Sequence, residues 1–397
     1  MAEAEHHLSA ADIWAGAKSL RDFLTQRSAE IEQARRLTPE VVAALHEKGL
    51  FRLNMPQSWG GPEMTSMEQV EVIEEISRAD ASVGWCLMIG CDTGLYSGYL
   101  QNSVARALYP RLDMVQAGWV VPAGQAHETS DGYIVKNSRW AFGSGCTHAD
   151  LIAGGCTVYK DGEPKLMPNG IPASVNVIAP ADQWEILDTW YTTGLRGTGS
   201  NDYTTKEAEM FVPREHTFSW YGFADAPRRE GVLWMQPDTL LRKMAGIPLG
   251  VARSVIDYAV DILQDKVEMP AGKPYRANTR IQAAVAEAEM KLGAARSYVF
   301  SSLHSQWATL EAGQELSKQQ RADVWIARIN AFQTAREVAN LIYDTVGGSA
   351  IYANKGPIDR AVRDTTTMCQ HIVGQRKSLE PAGALLLGEE GGTHALL

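Results

Sequence analysis

No run of five or six lysines or arginines occurs anywhere in the 397 residues, and 37 basic side chains are outnumbered by 47 acidic ones, for a net charge of −10. A nucleic-acid binder needs a basic face, so no nucleic-acid partner is expected. An acidic surface also repels anionic membranes, and no apolar run approaches the ~18–20 residues that cross a bilayer. The opening MAEAEHHLSA carries acids where a secretory signal needs a basic segment followed by an apolar one. The expectation is a cytoplasmic protein without a membrane partner. Cysteine is scarce: Cys86, Cys91, Cys146, Cys156 and Cys369 form no CxxC pair, and an odd number cannot all pair within one chain. They read as small buried apolar side chains. No Cys/His cluster has zinc-ligand spacing, so no metal is expected.

Several catalytic signatures are missing too. There is no GxGxxG opening a helix after a strand, no GxxxxGK[ST], no GxSxG and no HExxH. The nearest glycine cluster, Gly194-Leu195-Arg196-Gly197-Thr198-Gly199-Ser200, lies between β-type segments and is not a Rossmann turn. A conventional nicotinamide-dinucleotide or nucleoside-triphosphate site is therefore not expected.

What is present is globular in kind. Hydrophobic residues at 45% and charged residues at 21% argue against disorder or a fibrous repeat. Residues 10 to about 110 read as helical, with Thr38-Pro39-Glu40 as a capped helix start, a loop over 54–62, a second helical stretch from Ser66, and Asp80 or Ser82 as a cap for Val83–Ile89. From Met114 to about Val212 short β-type runs, such as Gly132–Val135 and Ala173–Ile178, are broken by Gly, Pro, Asn and Asp. After Asp238 the helix period returns. Ile281, Val285, Ala288, Leu292, Ala295 and Val299 advance by alternating fours and threes, which puts them on one helix face. Four long helices, roughly 238–266, 278–311, 315–346 and 359–378, would form a bundle, with Gly347-Gly348 breaking the third. The domains expected are helical over 1–113, β over 114–235 and helical again over 236–397.

Three stretches carry a chemical signal. In WVVPAGQAHETSDGYIVKNSRWAFGSGCTH (119–148), clusters at Trp119–Gly124 and Trp140–Gly145 combine aromatics with small residues. Such a pair can offer stacking faces and close backbone approach to a planar ligand, or can be a glycine-rich hairpin with buried aromatics. Ser144 adds a hydroxyl. In WEILDTWYTTGLRGTGSND (184–202), Arg196 among glycines, with Thr198 and Ser200, either holds the loop or meets a ligand. In DRAVRDTTTMCQHIVG (359–374), Asp364, Met368, His371 and Gln375 would share a helix face, and His371 is either a general base or a satisfied core residue.

Taken in this order, the three stretches resemble the acyl-CoA dehydrogenase superfamily, as does the late segment VGGSAIYANKGPIDRAVRD. The resemblance covers nearly the whole chain. It implies an α+β fold with an N-terminal helical domain, a central β-barrel and a C-terminal four-helix bundle, flavin between barrel and bundle, and a homotetramer or homodimer. The superfamily's dehydrogenases remove an α-proton with a glutamate placed a few residues after the Arg-Asp of the last segment. Counting from Arg363-Asp364 puts Ile372 there, and the first bundle helix, RKMAGIPLGVARSVIDY, has no Glu. The superfamily's Arg-x-x-Phe-Gly is replaced by Gly272-Lys273-Pro274-Tyr275-Arg276. The chain is more similar to the two-component flavin-dependent monooxygenases.

That branch implies reduced FAD or FMN delivered by a separate NAD(P)H-flavin reductase, dioxygen as co-substrate, and oxygen transfer through a carbon-4a hydroperoxyflavin to an aromatic or heteroaromatic, indole- or phenol-like, small molecule. The implied roles are Ser144 at flavin nitrogen 5, Trp119, Trp140 and Phe142 as walls, Arg196, Thr198 and Ser200 at the polar edge or tail, and Gly347 and Gly348 as further cofactor contacts. His371 is the implied base, with Asp92 as a second candidate. Phenol-hydroxylating members often carry a His where Asp92-Thr93 stands, which turns the expectation toward an indole, another heteroaromatic or an amine. The alternatives are a thioester-oxidising dehydrogenase, an amine N-oxygenase, and a non-catalytic flavin-binding protein of the same fold.

Overall fold

A computed structural model describes residues 8–219, 228–270, 272–353 and 355–389. Seven helices come first: α1 (Ala10–Ser19), α2 (Arg21–Ala34), α3 (Pro39–Glu47), α4 (Ser66–Ala79), α5 (Ala81–Gly90), α6 (Thr93–Ser97) and α7 (Asn102–Leu108). Their starts follow the side-chain chemistry of caps. Thr38 Oγ1 accepts from Val41 N–H, Thr65 and Glu68 form a reciprocal box, and Asp80 Oδ1 accepts from Ser82 and Val83 N–H at 2.8 and 3.1 Å.

The middle of the chain is β: β1 (Gln116–Glu128), β2 (Gly132–Lys136), β3 (Arg139–Gly143), β4 (Leu151–Lys160), β5 (Glu163–Pro164), β6 (Ser174–Pro180), β7 (Trp184–Leu187), β8 (Asn201–Thr205), β9 (Glu209–Pro213) and β10 (Thr217–Phe218). The first sheet runs β10-β6-β4-β1-β2-β9, with β5 on β4, and the second runs β3-β8-β7. The barrel is thus made of two sheets closing on one core. Val135, Ile152 and Val177 of the first sheet pack with Trp140, Trp184 and Tyr203 of the second.

The helical half returns with α8 (Val232–Met235), α9 (Gly246–Asp265), a short hairpin of β11 (Val267–Glu268) and β12 (Lys273–Pro274), α10 (Thr279–Glu311), α11 (Lys318–Val346), α12 (Ile358–Met368) and α13 (Glu380–Leu386). The expected face of α10 is partly buried: Ala288, Leu292, Ala295 and Val299 are in the core, while Ile281 and Val285 pack at its edge. The first bundle helix starts at Gly246, later than expected, after a 3-10 turn over Arg242–Ala245. Its glycines set a close crossing with α4. A β-carbon on Gly246 would lie 2.6 Å from Val70 O, and one on Gly250 would lie 2.2 Å from Glu74 O.

The last long helix is corrected: α12 stops at Met368, not near 378. Thr365, Thr366 and Thr367 are β-branched, and the first two hydroxyls bond back to Ala361 O and Val362 O, which weakens a helix. Gly374 then packs on the Phe332 ring, 2.7 Å from where its β-carbon would be. Among the described residues, no helix is long and apolar enough to cross a membrane. All five cysteines are buried and unpaired.

Candidate active site

Two strand irregularities aim aromatic rings out of the β core. The β1–β4 register shifts just after Trp119, and the β3–β8 register shifts between Trp140 and Gly143. A bulge re-aims side chains in this way. Phe142 sits in the second bulge at φ +63°, a backbone conformation rare for an aromatic residue. Its ring is 51% exposed and lies 5.5 Å from the Trp119 ring and 6.3 Å from Trp190.

Trp140 points the other way, and its expected role as a ligand wall is corrected. It is 0% exposed, stacks on Tyr203 at 5.4 Å, meets Trp184 edge-on at 5.2 Å and donates from Nε1 to Gly155 O at 2.7 Å. Two residues of alternation and one bulge separate a core tryptophan from an exposed phenylalanine.

The loop over 189–200 is pinned to the bundle. Leu195 N–H donates to Asp364 Oδ1 at 2.6 Å, and a β-carbon on Gly194 would lie 2.2 Å from Arg363 O. Burial raises the Asp364 carboxyl to about 7 against the opposing Leu195 bond. The loop thereby presents Thr198 and Ser200 to Ser144. Trp85 Nε1–H donates to Ser144 Oγ at 3.0 Å, Ser144 and Ser200 hydroxyls meet at 2.7 Å, and Ser200 and Thr198 hydroxyls meet at 2.6 Å. Thr198 Oγ1 donates to Leu195 O at 2.8 Å.

That last bond fixes the direction of the whole chain, because each hydroxyl has one proton. Thr198 gives its proton to the carbonyl, so Ser200 donates to Thr198 and Ser144 donates to Ser200. Ser144 is left able only to accept from a ligand. Arg196 is half-buried on the same loop, and its Nε is buried without a partner among the described residues. An aromatic pair with one exposed ring, a hydroxyl acceptor and an orphaned guanidinium N–H fit a planar, heteroatom-rich group such as a flavin ring.

His371 lies between the two tryptophans of this region, 5.4 Å from Trp85 and 6.2 Å from Trp119, edge-on to each. It sits in the turn after α12 and not on a helix face with Asp364, as the helix correction requires. Enclosure and the nearby Arg328 charge lower its pKa to about 4, so it is neutral at pH 7. Its Nδ1 accepts from Val373 N–H at 3.3 Å. The assignment that follows places the neutral ring's proton on Nε2. In this tautomer His371 offers an N–H donor from Nε2.

A cavity of about 110 Å³ opens beside His371 and Trp119. Leu240, Leu241, Met244, Trp325, Ile372 and Val373 supply apolar wall, and the first residues of β1 supply one side. Its polar lining includes Asp92 and Gln116, far apart in sequence. Asp92 is buried and ion-paired with buried Lys243. Desolvation raises the Asp92 carboxyl to about 6 against the attraction of Lys243. Gly347 and Gly348, expected at the cofactor, end α11 roughly 33 Å from Trp325 at ~1.5 Å per residue and do not line this cavity.

Sequence reasoning missed Trp85, Gln116, Lys243 and Trp325. Trp85 stood beside the capped start of α5, and its partner is 59 residues away. Lys243, amid the apolar Met244-Ala245-Gly246, was the one with a readable signal: a cation entering a buried helix needs a counter-charge.

The comparisons agree with this layout. Residues 15–103 match the acyl-CoA dehydrogenase N-terminal domain model and residues 243–376 match an acyl-CoA dehydrogenase C-terminal domain model, together more than half of the chain. The indole-3-acetate monooxygenase of Acinetobacter baumannii is 27% identical, with 90% of each chain covered. The flavin-dependent monooxygenase oxygenase subunit HsaA of Mycobacterium tuberculosis is 28% identical over 89% of this chain and 90% of its own. Among solved structures, XiaF from Streptomyces in complex with FADH2 and glycerol superposes with a TM-score of 0.88 at 19% identity, covering 96% of both chains. With both terminal domain models matched and the fold shared end to end, the chain belongs to the acyl-CoA dehydrogenase family, where its similar proteins are two-component flavin-dependent monooxygenases.

Proposed function

We propose that the protein is the oxygenase component of a two-component monooxygenase, taking reduced FAD or FMN from a separate NAD(P)H-flavin reductase and hydroxylating a small aromatic or heteroaromatic molecule. One observation carries the choice against thioester dehydrogenation. The cavity position that counts as the dehydrogenase base is Ile372, whose side chain cannot take a proton. An α-proton needs a free base within reach.

Bound reduced flavin, with dioxygen, supplies the oxygen atom to be transferred. The chain's own groups do the rest. Trp119 and Phe142 give stacking faces, Ser144 accepts a ligand N–H and so holds that proton in place, and Arg196 meets a polar edge. His371 donates Nε2–H toward the oxygen being transferred. Asp92 accepts from a substrate O–H or N–H, which raises the ring's electron density. The apolar cavity wall excludes water. Thr198 and Ser200 act through Ser144. Gly347 and Gly348 as further flavin contacts, a homotetramer or homodimer, and a cytoplasmic location beside the reductase also belong to this reading.

The test uses the purified chain with a generic flavin reductase, NADH, dioxygen and a panel of phenols, indoles and amines, read by mass. The expected product is one oxygen atom heavier and forms only with reduced flavin. Reduction of an artificial electron acceptor by a thioester, with no oxygenated product from any panel member, would overturn it.

A further inference from the structure

The polar end of the cavity is a matched donor and acceptor buried in apolar wall. Gln116, 1% exposed, opens β1 and lines the cavity. The Tyr109 hydroxyl donates to its Oε1. Burial, with Asp92 nearby, pushes the Tyr109 pKa up, so the phenol keeps its proton and remains the donor. Gln116 Nε2 is then a buried N–H donor without a partner among the described residues. Asp92 lines the same cavity with one oxygen, Oδ1, held by Lys243 and the other without a hydrogen bond among the described residues. Lys243 itself lies behind Asp92, outside the lining, and is 1% exposed.

We infer that this end of the cavity selects an uncharged aromatic substrate bearing one hydrogen-bond donor and one acceptor, the simplest being a phenol, and discriminates against aryl carboxylates. The inference rests on the monooxygenase reading for calling the cavity a substrate site and goes beyond it in naming the class. A phenolic O–H donates to Asp92 and its oxygen accepts from Gln116, which satisfies both buried groups. An indole N–H satisfies Asp92 alone and leaves the Gln116 donor orphaned. A carboxylate can accept from Gln116 but sets a second negative charge beside Asp92, with Lys243 already spent, in a wall that offers little screening. Sites built on buried polar pairs reject the ligand lacking the group more strongly than apolar pockets reject an extra methylene.

Calorimetric titration of the full chain at pH 7.5 with 2-naphthol, naphthalene and 2-naphthylacetate tests this. The expected ranking puts 2-naphthol at least about tenfold tighter than either of the others, the scale of one or two satisfied buried hydrogen bonds. Gln116→Leu should weaken 2-naphthol roughly tenfold and leave naphthalene unchanged. Asp92→Asn should bring 2-naphthylacetate closer to 2-naphthol. If that variant does not fold, the wild-type ranking and Gln116→Leu decide. Equal affinities, no binding, or 2-naphthylacetate bound as tightly as 2-naphthol would overturn the inference. The two readings fail separately: a correct ranking without oxygenation by reduced flavin removes the monooxygenase and leaves this selectivity, whereas efficient oxygenation of 2-naphthylacetate does the reverse.

Discussion

Trp85 Nε1–H donates to Ser144 Oγ at 3.0 Å, joining helix α5 to the bulge after β3 and setting Ser144 as the outer end of a one-way chain of hydroxyls. The proton of Ser144 is committed to Ser200, Trp85 takes one lone pair, and one lone pair is left to accept. A ligand N–H placed there is held, and removing the acceptor frees it to exchange with water.

Ser144→Ala is therefore expected to raise hydrogen peroxide release about tenfold, in line with ~1–1.5 kcal/mol for one hydrogen bond, with a matching fall in oxygenated product and unchanged affinity for aromatic ligands. Single-turnover measurement of peroxide and product checks this. Unchanged peroxide yield would remove Ser144 from the site.

The tautomer of His371 separates two roles by substitution. If the ring donates from Nε2, glutamine, whose amide N–H reaches a similar place, retains a substantial part of the oxygenation rate. Alanine loses on the order of 10²-fold. A base role predicts equal losses for both. The pH profile is a second check. With the pKa near 4, the imidazole is neutral throughout pH 5–8, and it contributes no inflection there.

Much of this architecture was legible because it rests on local rules. The caps at Thr38 and Asp80, the 3.6-residue face of α10 and the helix–β–helix order follow from side-chain chemistry and periodicity. Most of what failed needed a distant partner. Trp140 and Phe142 read alike as aromatics among glycines, and only the bulge and Tyr203 tell core from exposed ring. The extension of the last helix past Met368 came from spacing alone, so it missed the threonine hydroxyls that compete for the backbone. Ser144 was found from its neighbours, but the direction of its proton depends on Leu195 O, 51 residues on. Lys243 had no visible counter-charge until the fold brought Asp92 to it.

Core and site aromatics should part under mutation. Trp140→Ala removes a fully buried ring packed on Tyr203 and Trp184, and is expected to cost about 3–5 kcal/mol in chemical denaturation. Phe142→Ala removes a half-exposed ring in a strained backbone position and should leave stability within about 1 kcal/mol while weakening flavin binding. Equal destabilisation by both would contradict the assignment.

Asp364 gives a stability test with a defined sign. Its pKa is raised from 3.8 to about 7, so the folded chain holds a proton that the unfolded chain releases between those values. Its contribution is fully present below about pH 4 and is lost as pH rises through about 7. Asparagine keeps an acceptor for Leu195 N–H without the charge. The melting temperature of Asp364→Asn minus that of wild type is thus expected to be most positive at pH 8 and to decline toward pH 4.5. A difference independent of pH would show that Asp364 is not the group that titrates.

The Asp92–Lys243 pair should behave as a unit. Removing one partner of a buried ion pair leaves an uncompensated charge and typically costs about 3–5 kcal/mol. Lys243→Met is expected to fall in that range, since Met fills the same volume and the loss is chiefly of the counter-charge. Adding Asp92→Leu to it removes the orphaned carboxylate, and the double variant should be more stable than Lys243→Met alone, a coupling measurable in a double-mutant cycle by urea denaturation. The same double variant retains the apolar wall but has no acceptor for a substrate O–H. It should therefore bind naphthalene about as well as wild type does, while its preference for 2-naphthol falls to what Gln116 alone supports. Additive destabilisation in the cycle would mean that the two groups do not act on each other, and the selectivity argued from their pairing would lose its basis.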